Sequence, residues 1–181
     1  MWSEGGAGIA SLIDVEGVVR EIERIAREAR SEEDLRLGVE SILKSRVLER
    51  LGDVMLSYPK ARYEVTLVSR DRELVGKVDA LHGYVVIEYK KPGAFGKPGE
   101  LRPTPGFRDA VEQVKRYIWD LAGGRKLELP KYFGVVLDGY KIGFVWWSLD
   151  KEDFEVVGRP PSMNVLSQCL STQYWGLGGK L

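Results

Sequence analysis

The stretch VDALHGYVVIEYK, residues 78–90, constrains the fold more than any other, because it reads as two apolar strands around a His82-Gly83 turn. Successive strand residues point to opposite faces. A two-residue turn there pairs Leu81 with Tyr84, Asp79 with Val86 and Lys77 with Glu88. Val78, Ala80, Val85, Ile87 and Tyr89 then make one apolar face, while Asp79, Glu88 and Lys90 share the other. Diagonal neighbours on paired strands lie roughly 7–8 Å apart, close enough for Asp79 and Glu88 to bracket a hard cation such as Mg²⁺, with Lys90 holding a water beside it. A solvated face carrying a Lys77–Glu88 cross-strand ion pair accounts for the same residues, so the hairpin alone leaves both readings open.

The rest of the chain sorts into alternating periods. Residues 14–30 place Val18, Ile22 and Ile25 at helical spacing, and Ser31 offers an N-cap to a second helix over 32–52. Strands follow in ARYEVTLVS, ELVGKVDAL and YVVIEYK. The segment KPGAFGKPGELRPTPGFR holds four prolines and four glycines and reads as a long loop. Next comes an amphipathic helix with Phe107, Val111, Val114, Ile118 and Leu121 on one stripe. YFGVVLDGYKIGFVWW reads as a hairpin centred on Asp138-Gly139, with Trp146 and Trp147 in the last strand, one filling the core and the other available to be covered. The expected order is α-α-β-β-β-α-β-β.

At 181 residues the chain suits one domain, expected over 1–159 with a core at 33–147. Residues 160–179 carry no charge, in a protein of which 30% is charged. That tail reads as a disordered end, an end cut within a larger polypeptide, or a segment that docks on a partner surface. No apolar run approaches the roughly 20 residues that span a bilayer, and no basic-then-apolar leader opens the sequence, so a cytoplasmic protein is expected. The single cysteine, Cys169, excludes an intrachain disulfide or a four-cysteine cluster. One asparagine and abundant Glu, Lys and Arg suggest a heat-adapted source. Zero net charge restricts any contact with nucleic acid to a local patch.

Further polar residues sit on apolar stripes. Glu40 lies on the second helix among Leu43, Val47 and Leu51 and needs either a metal or a partner such as Arg36 at i−4. Gln113 and Tyr117 make a polar edge on the later helix, also explicable as an ordinary helix shoulder. His82, the sole histidine, reads as a simple turn residue. No Gly-x-Ser-x-Gly elbow and no complete phosphate-binding Gly-x4-Gly-Lys-Ser/Thr loop is present.

Taken in order, GKVD at 76–79, EYK at 88–90 and QVKRY at 113–117, with Glu40 on a preceding helix, resemble the motifs of the PD-(D/E)XK nuclease superfamily. The resemblance covers about residues 33–145 and is nearest to nuclease domains of RecB-type enzymes and of type I or IIG restriction enzymes. Val78 stands where the family name has proline. The resemblance implies a restriction endonuclease-like αβββαβ core, a mixed β-sheet flanked by helices, and Mg²⁺-dependent hydrolysis of DNA, with Mn²⁺ able to substitute. It implies metal ligation by Asp79, Glu88 and the main chain of Tyr89, completion of the pocket by Glu40, orientation of the attacking water and offsetting of phosphorane charge by Lys90, and support from Gln113 and Tyr117. In-line attack would leave a 5′-phosphate and a 3′-hydroxyl. Lys91, Lys97, Arg102 and Arg108, in and beside the Pro/Gly loop, are the expected backbone contacts to DNA; a loop charged for solubility is the competing reading. An endonuclease of restriction type is favoured over a RecB-like exonuclease or repair nuclease, and over a non-catalytic DNA-binding or assembly domain of the same fold. Cutting both strands makes a homodimer, or a larger restriction-modification or repair polypeptide, the expected setting.

Overall fold

The computed structural model describes residues 13–49, 62–68, 74–97, 100 and 103–159. Leu51, Arg102 and the uncharged tail lie outside them. Two helices come first among the described residues: α1 (Val15–Glu28) and α2 (Glu32–Ile42). Each start is written locally. The Asp14 carboxylate accepts the Gly17 N–H at 2.9 Å. Ser31 and Asp34 form a reciprocal capping box, with Glu32, Glu33 and Asp34 complementing the positive end of the α2 dipole. Beyond Ile42 the helix widens into a π-helical segment, Leu43–Leu48, where the Glu49 N–H reaches back to the Lys44 carbonyl.

Strands β1 (Arg62–Val68), β2 (Leu74–His82) and β3 (Val85–Tyr89) form an antiparallel meander. Helix α3 (Pro105–Leu121) starts with Thr104 as N-cap and Pro105 at its first position, where the missing N–H is no loss. A short 3₁₀ segment, Lys126–Lys131, leads into β4 (Phe133–Leu137), which pairs parallel to β3. Strand β5 (Ile142–Ser148) returns antiparallel, followed by β6 (Asp153–Arg159). The chain is thus an α/β protein with a mixed, open sheet of six strands in sequential order. Strand β6 is not foreseen from sequence; its partner β5 supplies the pairing that DFEVVGR does not advertise.

The sheet is buried on both faces. Helices α1 and α2 cover Ala80, Val85, Ile87, Tyr89, Val135, Leu137 and Phe144. Helix α3 covers Val78, Leu81, Val86, Val136 and Val145 from the other side. Glycine lets α3 approach closely: a Cβ on Gly134 would stand 2.3 Å from the Val114 side chain, and one on Gly143 would stand 2.6 Å from the Phe107 ring. Trp146 packs toward the first layer and Trp147 toward the second, where it meets Phe154 of β6 edge-on. Among the described residues no helix is long and apolar enough to cross a membrane.

Three local expectations are corrected. The β2–β3 turn is Gly83-Tyr84, with Gly83 at φ +62°, and His82 closes the ladder opposite Val85. The partners therefore slide by two residues, which preserves side-chain parity from Ala80 onward. Val78, however, faces α3 and not the layer of Ala80, so the alternation breaks at Asp79. There the Asp79 carboxylate, at 2.8 Å, accepts the Tyr89 N–H, a donor otherwise free for a main-chain ladder bond. The β4–β5 tip is likewise one residue later than expected, because Asp138 bonds to Lys141 across Gly139-Tyr140 and its buried carboxylate accepts the N–H groups of both Tyr140 and Lys141.

Candidate active site

Glu88 lies in β3 and Lys90 is the residue just past its end, where the Lys90 N–H continues the pairing by donating to the Leu137 carbonyl, so the two-residue repeat of extended chain puts both side chains on the same side. That side faces α3, which contributes Gln113 and Tyr117. Lys90 Nζ donates to Glu88 Oε1 at 2.5 Å and to Gln113 Oε1 at 3.2 Å. Gln113 Nε2 in turn donates to the Tyr117 hydroxyl at 2.5 Å. Because the amide oxygen takes the ammonium and the amide nitrogen serves the phenol, the glutamine has one orientation that satisfies both. Asp79 enters from β2, held through its carboxylate by the Tyr89 N–H and through its carbonyl by the Arg36 guanidinium at 3.5 Å.

Charge is concentrated here away from water. Glu88 is 1% exposed. Burial and the neighbouring Asp79 charge push its carboxyl up to about 7, against the opposing pull of Lys90. Burial also raises Asp79, opposed by the Tyr89 N–H, Lys90 and Arg36. Burial disfavours the Lys90 ammonium, but its bond to Glu88 and the charges of Glu88, Glu32 and Asp79 outweigh this and hold it above the usual lysine range. Lys90 is therefore a cation at neutral pH and a donor of hydrogen bonds, not a base.

Glu32, unremarked in the sequence except as part of a helix start, is the further acid that faces this cluster. Burial raises its pKa against the attraction of Lys90 and of the Lys91 main-chain N–H. The only sequence signal was its place in the first turn of a capped helix. Glu40 is not brought to the cluster. Its carboxylate takes the Tyr89 hydroxyl at 2.7 Å and His82 Nε2 at 3.0 Å. Burial would raise the Glu40 pKa, yet His82 and the Tyr89 and Tyr63 hydroxyls together hold it below the usual range. His82 is accordingly a core residue, 3% exposed, and not the simple turn residue expected. Nor does Arg36 pair with Glu40; its guanidinium binds Glu33 at 2.6 Å and Glu64 at 3.2 Å. The alternative Lys77–Glu88 pair is also absent, since Lys77 reaches Glu64 at 2.6 Å.

Among the described residues no three His, Cys, Asp or Glu side chains gather closely enough to form a metal cage. Mg²⁺ does not require one, being held commonly by one or two carboxylates plus waters and substrate phosphate. Glu88 Oε2 is buried with no hydrogen-bond partner among the described residues. A bare carboxylate oxygen next to a second, half-buried carboxylate is a site of unsatisfied negative charge, and the pair fits a hard cation that keeps most of its waters.

Lys91 and Lys97 are exposed on the loop after β3, and Arg108 is exposed on the first turn of α3. The loop is pinned at its middle: the Phe95 N–H donates to Asp138 at 2.8 Å, the Phe95 carbonyl accepts from Lys141 Nζ at 2.7 Å, and the ring packs edge-on against Phe107. No family model, curated protein or solved structure matches the chain.

Proposed function

We propose that the chain is a divalent-metal-dependent deoxyribonuclease domain of the restriction endonuclease-like kind. The observation that carries this reading is Glu88: a fully buried acid with one oxygen on Lys90 and the other bare, beside Asp79. Asp79 and Glu88 are the side chains that would hold Mg²⁺. When bound, such an ion neutralises charge on a phosphodiester and makes a water more acidic. Lys90 directs its ammonium at the attacking water and at the negative charge that builds on the phosphoryl oxygens. Gln113 restrains the Lys90 side chain, and Tyr117 restrains the Gln113 amide, so the ammonium is positioned before substrate arrives. Water adds to phosphorus, the bond to the 3′ oxygen breaks, and that oxygen leaves with a proton as a 3′-hydroxyl.

Supercoiled, linear and single-stranded DNA incubated with Mg²⁺ or with EDTA test the proposal. Nicking or linearisation of closed circles in Mg²⁺ and none in EDTA is the expected result; degradation from ends alone would assign an exonuclease. An intact substrate in both Mg²⁺ and Mn²⁺, with no uptake of Mn²⁺ by the protein, would overturn it. For the basic side chains the expectation concerns salt. Replacing Lys91, Lys97 and Arg108 together by alanine should lower the slope of log affinity against log salt by about 0.9 per lost phosphate contact on duplex DNA. An unchanged slope would remove those residues from the DNA contact.

A further inference from the structure

Glu40 is the acid that the sequence pattern nominates for the metal pocket, and both its oxygens are already engaged. Oε1 accepts from the Tyr89 hydroxyl and Oε2 from His82 Nε2, with all three side chains almost wholly buried. Tyr63 sets its ring edge-on to His82, 6.1 Å between centroids. Little capacity is left for a cation. Glu32, eight residues earlier on the same helix, stands about 12 Å away along the axis at 1.5 Å per residue, and its charge is the one that acts on Lys90 and Asp79.

The three partners belong to three different elements. Glu40 is on α2, His82 ends β2, and Tyr89 lies on β3 between Glu88 and Lys90. Tyr89 is thereby fixed at two points: its main-chain N–H on Asp79 and its hydroxyl on Glu40. A rotation or slip of β3 that moved Glu88 and Lys90 would break both bonds. A shift of α2 that carried Glu32 away would break the same hydroxyl bond and leave a buried carboxylate short of donors.

We infer that Glu40 is a positioning residue and not a metal ligand: it locks α2 to the β2–β3 hairpin through His82 and Tyr89, and so sets Asp79, Glu88, Lys90 and Glu32 against one another. This rests on the nuclease reading for what the cluster binds, but the lock itself is a separate claim. Supporting groups of this kind around a metal site change affinity by about 10- to 100-fold when lost.

The test is Mn²⁺ uptake by the full chain, read from the spectrum of free aqueous Mn²⁺, with melting temperature measured on the same samples. Tyr89→Phe removes a hydroxyl and nothing else, and should weaken Mn²⁺ binding by about tenfold, the lower end of that range. Glu40→Gln keeps an oxygen that accepts the phenol and should stay near the parent, whereas Asp79→Asn should lose Mn²⁺. Glu40→Ala should match Tyr89→Phe in its loss, and the double variant should be no worse than Glu40→Ala, since both break one lock. If Glu40→Ala does not fold, Tyr89→Phe and Glu40→Gln decide. Loss in Glu40→Gln as severe as in Asp79→Asn would make Glu40 a ligand and overturn the inference. So would a Tyr89→Phe variant that melts lower yet binds Mn²⁺ like the parent. A parent that takes up no Mn²⁺ overturns the metal reading itself, and the inference with it.

Discussion

Glu88→Gln is expected to yield a protein more stable than its parent and without metal-dependent cleavage. Unfolded, Glu88 ionises near 4.5; folded, near 7, because burial and Asp79 oppose its charge. Between those values the folded chain retains a proton that the unfolded chain has released. Stability is therefore lost as pH rises through this window, and the penalty is complete above about 7. The difference corresponds to about 3 kcal/mol as an upper bound, since the amide keeps the shape of the acid and still offers Lys90 an acceptor. In EDTA the variant should melt above the parent at pH 8 and level with it near pH 4. The same change removes one of two carboxylates that would hold the cation, so Mn²⁺ uptake and cleavage should disappear together. A variant that gains nothing at pH 8 would show that Lys90 already offsets the buried charge in full.

Lys90→Met should lower the cleavage rate at saturating Mg²⁺ by about 10²–10³, the usual loss when one fixed donor to developing charge is removed. Methionine fills similar space without the ammonium, so the fold should hold. Glu88 and Asp79 lose their nearest cation, which raises both carboxyls further. Metal uptake should then need a higher pH than in the parent, with the sign opposite to what loss of an acid would produce. Binding of Mn²⁺ near pH 8.5 combined with lost cleavage would separate a catalytic ammonium from a merely structural one. Cleavage at the parental rate would remove Lys90 from the chemistry.

These residues were legible in unequal degree. Glu88 and Lys90 share a face because a strand repeats every two residues, which requires no knowledge of the rest of the chain. Gln113 and Tyr117 share a helix edge by the same kind of argument, at i and i+4. The cap at Ser31 and the stripe from Phe107 to Ile118 are equally local, and each lies where the local pattern puts it. Asp79 was located as a candidate, but its break from the alternation was hidden, because the bond that causes it runs from its carboxylate to the Tyr89 N–H on the neighbouring strand.

Glu40 marks the boundary. Nothing in its own neighbourhood distinguishes a ligand from a lock; the decision lies with His82 and Tyr89, 42 and 49 residues away in sequence. Glu32 is inconspicuous in the sequence for the converse reason, since a first-turn acid is ordinary until the charges at a strand end act on it. The periods of helix and strand, the caps and the acid-x-lysine spacing follow from backbone geometry within a few residues, and the amino-acid order alone determined them. Which acid meets which, which histidine is buried and how the hairpin registers depend on two helical layers closing on the two faces of one sheet. Only that packing, by excluding water and bringing distant donors within bonding reach, decided them.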